Sequence, residues 1–369
     1  MNFWSYDSLS AVHIEMASKC NAACPGCMRF IQNSPIINPD LIQDEITYGM
    51  FVKWFPPEVL AKIYGWIMCG NYGDPLACRD LYKILEYICE HSPGSIQINT
   101  NAGLRPPEVY KKIGELFAQE RNYNGEIPHR AITFSIDGLE DTNHLYRRNV
   151  KWKKVWENLM AYVETGASTK WDFLQFKHNV HQIDEARKIA KQYGIDFILK
   201  NPFGVEKKAM PVYNKNLELE YIIEHATDNG YPPYKPSPPN WVAPMPDPVK
   251  ESGCINCMAK RTGPWPYHQK EIVEIFVNTA GQVLPCCFVG NRMSITHMED
   301  AVQAREIQKS MRNVNNLNLY SLKEILDSNI LDVWSNSWND KSIAICWNQC
   351  GGNDTKERAI DFLFKDKDQ

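Results

Sequence analysis

Three cysteines stand close together near the start of this chain, in the run Cys20-Asn21-Ala22-Ala23-Cys24-Pro25-Gly26-Cys27, a C-x3-C-x2-C spacing that follows a strand-like stretch. Three thiolates on one tight loop can hold three irons of a [4Fe-4S] cube. The fourth iron then has no local protein ligand and is open to a small molecule, whereas electron-carrying ferredoxin clusters close every iron with cysteine. An open iron points to catalysis. Structural zinc is the competing reading, but zinc normally closes four ligands, usually in two C-x2-C-like pairs. Beyond the loop the next cysteine is Cys69 and the next histidine His91, so no fourth ligand lies nearby.

The elements that must position this loop read as six strand-then-helix units. Val12, Ile14 and Met16 alternate with His13 and Glu15 as a half-buried strand that ends where the cysteines begin. Ile63 to Met68 is a second apolar run, followed by the turn Gly70 to Pro75. The helix after it carries Leu81, Ile84, Leu85 and Ile88 on one face, with Asp80 available as its cap. Ile96 to Ile98 is a third strand, and Pro106-Pro107 opens the next helix. Ala131 to Ile136 and Asp172 to Phe176 read as strands, each followed by a helix (152–164 and 182–193), and Phe197 to Leu199 is the sixth strand. Such alternation without hairpin signals implies a parallel sheet with right-handed crossovers. It fits a flat doubly wound sheet or a curved partial (β/α)6 barrel, and periodicity leaves both open.

Polar residues follow the strand ends throughout: Gly73-Asp74-Pro75, Asn99 and Asn101, Ser135 and Asp137, Lys177-His178-Asn179, and Lys200-Asn201. In a parallel barrel those ends converge on one mouth. Residues 217–225 read as a short bridging helix, and Tyr231 to Pro248 carries eight prolines, an extended segment that marks a boundary. Beyond it come Cys254 and Cys257, Cys286 and Cys287, and Cys346 and Cys350. Thr279-Ala280-Gly281 between two apolar runs signals a hairpin that carries Cys286 and Cys287 back towards the start of this segment, and a helix is expected over 322–327. A zinc ribbon is one reading of these pairs. Cys69, Cys78 and Cys89 are scattered and read as buried or incidental.

The chain has 369 residues, 44% hydrophobic and 23% charged, which fits a core domain of 1–200, a bridge of 201–250 and a smaller unit of 251–369. A net charge of −4 disfavours a broad basic surface for nucleic acid. Without a signal-like start or a long apolar run the protein is expected in the cytoplasm, away from membranes, where twelve cysteines read as metal ligands or thiols before disulfides.

The cysteine loop and its place in the chain resemble the cluster motif of the radical S-adenosylmethionine (radical SAM) superfamily, over about residues 10–200. The resemblance implies a partial barrel. It also implies that SAM chelates the open iron and is reductively cleaved to a 5′-deoxyadenosyl radical that abstracts a substrate hydrogen. Gly73-Asp74-Pro75 is similar to the family's Gly-Gly-Glu-Pro element, which binds the SAM amino group, with Tyr72 and Asp74 as departures. Phe134 to Gly138 with Tyr146-Arg147-Arg148 resembles the strand-four segment, in which Ser135 and Arg148 best match the cofactor contacts, with Asp137 beside them. Asn99 and Asn101 are candidate ribose or carboxylate contacts, or simply residues capping the next turn. Gly26 stands where the family commonly has an aromatic against adenine, which leaves adenine to the backbone near Leu199 or to Phe30.

The C-terminal cysteines resemble SPASM/twitch domains, small α+β units carrying auxiliary [4Fe-4S] clusters. Six cysteines suit one such cluster, with Cys257, Cys346, Cys350 and one of Cys286 and Cys287 as the quartet and Cys254 as rival. For such a protein the family implies oxidation or crosslinking of a peptide, a protein side chain or a small molecule, and an electron donor such as flavodoxin or ferredoxin. Substrates in the resembling families include sulfatase formylglycine precursors, ribosomal peptides and amino sugars. The first strand starts near residue 11, which disfavours a built-in leader-peptide module ahead of it. Nucleoside or RNA modification is the alternative chemistry, and an electron-transfer or zinc module the non-enzymatic one.

Overall fold

The computed structural model describes residues 4–119, 127–202, 209–224, 226, 260–261, 272–295, 299–336 and 344–346. The proline-rich stretch, Cys254, Cys257 and Cys350 lie outside these residues.

Six strands form the heart of the sheet: β1 (Ala11–Ile14), β2 (Gly65–Met68), β3 (Ser95–Thr100), β4 (Arg130–Ser135), β5 (Ser168–Leu174) and β6 (Asp196–Lys200). They lie in sequence order and every neighbouring pair is parallel. Between them run α1 (Tyr48–Trp54), α2 (Pro57–Leu60), α3 (Leu81–His91), α4 (Pro107–Phe117), α5 (Asn143–Tyr146), α6 (Trp152–Val163) and α7 (Ile183–Gln192).

Register separates the two faces of this sheet. Val12, Ile14, Trp66, Met68, Ile96, Ile98, Ile132, Phe134, Trp171 and Phe173 point one way and join the buried residues of the helices in one core. His13, Gln97, Asn99, Thr133, Ser135, Asp172 and Lys200 occupy the alternate positions. A doubly wound sheet carries helices on both faces and is apolar on both. Cover on one face with a polar other face is the arrangement of a barrel wall. Among the described residues the wall is open, because β6 pairs only with β5 while the other side of β1 takes another strand.

That strand comes from the far end of the chain. β7 (Ala209–Tyr213) and β8 (Leu219–Glu224) form a separate antiparallel hairpin, and β9 (Lys260–Arg261) pairs with β10 (Ile272–Val277). β10 then runs parallel to β1, and β11 (Val283–Leu284) returns antiparallel to it through the expected turn. The hairpin after the proline-rich stretch therefore extends the barrel wall. The indole of Trp4 donates to the Glu274 carbonyl and strengthens this seam. Helices named among the described residues that follow are α8 (Cys287–Gly290), α9 (Glu299–Ser310), α10 (Leu322–Asp327), which has a Ser321–Glu324 capping box, and α11 (Asp332–Asn336).

Three local expectations are corrected. The bridging helix expected over 217–225 is not formed over the described residues 217–224; Leu219–Glu224 is a strand, because Leu217 takes a left-handed turn (φ 63°) and Val212 and Met210 pair across from Leu219–Glu224. The fifth strand starts at Ser168, four residues earlier than its apolar end shows, since Ser168 to Lys170 pair with β4. Asp80 holds the N-cap position of α3, but its side chain makes no capping bond there; its carboxylate accepts from the Tyr48 N–H and ties down the start of α1 instead.

Candidate functional site

The cysteine loop leaves the top of β1 and is held by its own backbone and by three neighbouring strand ends. Cys27 N–H donates to the Cys24 carbonyl, and Gly26, at φ 81°, turns the chain where a side chain would be strained. The Gly26 N–H donates to Asn33 Oδ1, whose amide donates in turn to the Pro211 carbonyl of β7. Cys20 Sγ accepts from Ala22 N–H and Asn101 Nδ2, both at 3.4 Å, and Cys24 Sγ faces an Arg147 guanidinium nitrogen at 3.7 Å.

Burial is the main reason all three thiols titrate high, Cys27 near 11, and the negative groups around Cys20 and Cys27 add to it. They stay protonated near neutrality unless a metal displaces the protons. Among the described residues no group of three or more His, Cys, Asp or Glu side chains is gathered around a single metal-ion position. Three sulfurs on one loop, two of them approached by N–H groups, are a donor set that fits an iron-sulfur cluster, whose potential such hydrogen bonds tune.

The Gly73-Asp74-Pro75 turn lies directly against this loop. A Cβ on Gly73 would sit 2.0 Å from the Ala17 carbonyl oxygen, so glycine is what allows the two segments to touch. Asp74 is buried. Its oxygens accept from Leu76 N–H, from the Thr100 hydroxyl and from Asn101 N–H, all at 2.9 Å, which ties the turn to the end of β3. The carboxylate expected to meet an ammonium group is thus already well supplied with donors from the protein. Glu15 plays a similar part on the β1 side: it accepts from Tyr72 N–H at 2.7 Å, and burial raises its pKa to about 7. Tyr72, the departure from the family's glycine, sends its hydroxyl to the Asn291 carbonyl at 2.5 Å, while Asn71 donates to the Cys287 carbonyl. These contacts bring the Cys286-Cys287 pair beside the turn. Both thiols, and that of Cys346, are partly buried.

On the other side of the mouth Asn101 bridges Cys20 and the Asn21 side chain, and Asn99 accepts from Gln97. Ser135 is half-buried at the end of β4. Asp137 accepts from Leu174 N–H and from Arg147 Nε, both at 2.6 Å. Of the two adjacent arginines, Arg147 is the one that faces Cys24. Arg148 points to the hairpin, donating to the Tyr213 carbonyl and to Glu220, while its own carbonyl accepts from Ala23 N–H of the cysteine loop. Leu199 is the register partner of Phe173 and packs against the core on the helix-covered face.

Several residues at the mouth carry no motif. His13 Nε2 lies 2.6 Å from the Cys69 carbonyl and Nδ1 faces Glu274 of β10 at 3.9 Å, while Lys200 Nζ pairs with Asp172 at 2.5 Å. The signal that could have found them is parity: all but Cys69 fall on strand positions that alternate with the apolar core. No helix among the described residues is long and apolar enough to cross a membrane.

No family model matches the chain, and no curated protein matches it. Solved structures that it resembles include several bound to S-adenosylmethionine (AdoMet). SuiB of Streptococcus suis bound to S-adenosylmethionine is 15% identical with a TM-score of 0.46, covering 76% of this chain and 61% of that one. BtrN in complex with AdoMet and 2-DOIA is 13% identical with a TM-score of 0.44, covering 93% and 95%. Native anSMEcpe with bound AdoMet and a Cp18Cys peptide is 14% identical with a TM-score of 0.38, covering 52% and 50%, so the match spans about half the length of that chain.

Proposed function

We propose that this chain is a radical SAM enzyme. The observation that carries the reading is the C-x3-C-x2-C loop at the C-terminal mouth of an open parallel (β/α)6 wall, with Asn101 and Ala22 donating to Cys20 and Arg147 facing Cys24. A [4Fe-4S] cluster held there supplies an open iron for SAM and the electron that cleaves it. Cys20, Cys24 and Cys27 hold it, and the neighbouring donors stabilise their thiolate form. Arg147, fixed by Asp137, supplies positive charge beside the cluster, and the backbone of Gly73 with Asn99, Asn101 and Ser135 lines the seat for the amino-acid and ribose parts of SAM.

In the same reading the segment from residue 251 onward carries one auxiliary [4Fe-4S] cluster, drawing on Cys286 or Cys287, Cys346, and Cys257 and Cys350. The hydrogen bond from Asn71 to the Cys287 carbonyl supports it, since it sets this cysteine pair beside the turn that borders the first loop. The reaction is then oxidation or crosslinking of a small molecule or a peptide; SuiB has been solved with its precursor peptide SuiA, and BtrN with 2-DOIA.

Anaerobic reconstitution, SAM and dithionite test the reading. Wild type should yield 5′-deoxyadenosine and contain about eight irons. The triple replacement of Cys20, Cys24 and Cys27 by alanine should abolish the product and leave about four irons. Product from that triple variant would end the assignment, and one tightly bound zinc with almost no iron would replace the auxiliary cluster by a zinc ribbon.

A further inference from the structure

Thr133 of β4 and Asp172 of β5 lie on the polar face of the wall and are 1% and 7% exposed. Asp172 Oδ2 is paired with Lys200 Nζ, but its Oδ1 and the Thr133 hydroxyl have no hydrogen-bond partner among the described residues. Buried polar atoms are nearly always hydrogen-bonded, so two unfilled ones on one face indicate a partner that the described residues do not supply. Ser135 is the register partner of Asp172, and Thr133 stands one inward-facing position before Ser135. The two orphans are therefore diagonal neighbours on adjacent strands. Gln97, Asn99, Cys69 and Lys200 around them are partly open to solvent.

In register Thr133 is level with Asn99 and Asp172 with Ser135, so the pair borders the residues assigned to the cofactor, while Thr133 itself lies two residues below Ser135 on its own strand, about 6–7 Å deeper. The chemistry is also defined. Asp172 Oδ1 can only accept, so it requires an O–H or N–H from its partner, and the Thr133 hydroxyl can donate or accept. Lys200 already balances the Asp172 charge, so that pair offers no net positive charge to a phosphate or other polyanion, although Lys170 stands opposite Thr133 in register.

We propose that Thr133 and Asp172, with Asp172 braced by Lys200, form the seat for the hydroxyl and amino groups of a small polyol or amino-polyol substrate. Its role as a substrate seat rests on the enzymatic reading above; the binding itself does not. D-Glucosamine is the probe. Titrated calorimetrically into the cluster-reconstituted full-length protein, it should bind in the millimolar range, and Thr133→Val should weaken it about tenfold. Thr133→Val keeps the side-chain volume and the Lys200–Asp172 pair, so folding is not at risk. Asp172→Asn should weaken the probe similarly, and SAM affinity should stay within about twofold in both variants.

Absence of glucosamine binding by wild type, or equal binding by Thr133→Val, means that only water fills the two atoms and overturns the proposal. A loss of SAM affinity in Thr133→Val with unchanged glucosamine binding gives the pair to the cofactor's ribose and overturns it equally. Because the titration needs no SAM cleavage, a protein that binds the probe through Thr133 yet yields no 5′-deoxyadenosine would refute the enzymatic reading alone.

Discussion

Thr100 and Thr133 are buried threonines on the adjacent strands β3 and β4, and their hydroxyls have opposite fates. The Thr100 hydroxyl donates to Asp74, inside a knot that also takes Leu76 N–H and Asn101 N–H. The Thr133 hydroxyl, like the outer oxygen of Asp172, meets no partner among the described residues. A filled polar group at the mouth builds the site, and an unfilled one is available to what enters it. On this view Asp74, which its motif marks as a cofactor contact, acts first as the brace between the turn and β3.

Asp74→Ala is the harshest test of that distinction. It strands three buried donors and should cost about 3–5 kcal/mol in denaturant unfolding, well beyond any direct loss of SAM binding. A stable Asp74→Ala protein with lost SAM affinity would return this residue to the cofactor and break the comparison.

The two arginines sharpen it next. Arg147→Ala leaves the fully buried Asp137 without its guanidinium and should cost about 3–5 kcal/mol. Arg148→Ala removes a partly exposed pair with Glu220 and should cost about 1 kcal/mol or less. Equal unfolding midpoints for the two variants would contradict the placement of Arg147.

pH separates the two sides of the mouth by sign. Burial raises Glu15 to about 7, so between about 4.5 and 7 the native state keeps a proton that the unfolded chain has released. Stability from this group is present below its unfolded pKa and falls as pH rises, by up to about 3 kcal/mol, and Glu15→Gln should remove that slope. His178, beyond β5, is lowered to about 4 by burial and by His144 and His181. The unfolded chain binds its proton first, so this group adds stability as pH rises from about 4 to 6.5. Urea titrations at several pH values on Glu15→Gln and His178→Gln separate the two; slopes of the same sign would reject one of the assignments.

The smallest effect is the most specific. Thr100→Val should cost about 1.5–3 kcal/mol because it removes a hydrogen bond to a buried carboxylate. Thr133→Val should change stability by less than about 0.5 kcal/mol or raise it, since no protein partner is lost. Similar losses in both would show that Thr133 is filled from within the chain.

From the sequence alone came the cysteine loop, the order of six strands, the helices α3, α4, α6 and α7, the β10–β11 hairpin and α10, all of which rest on spacing and periodicity within short windows. The alternation of Thr133, Ser135 and Asp137 with Ile132, Phe134 and Ile136 was also there to read as one polar face. What only the tertiary structure decided were choices among chemically equivalent neighbours and pairings of distant segments. Arg147 and Arg148 are the same residue type side by side, and only the direction of each side chain sends one to Asp137 and the other to Glu220. β10 joins β1 across some 260 residues, and Tyr72 reaches Asn291, contacts that no local period encodes. Asp74 kept its motif in the sequence, but its set of donors exists only because β3 ends beside the turn, and hydrogen-bond saturation is a property of three-dimensional neighbours.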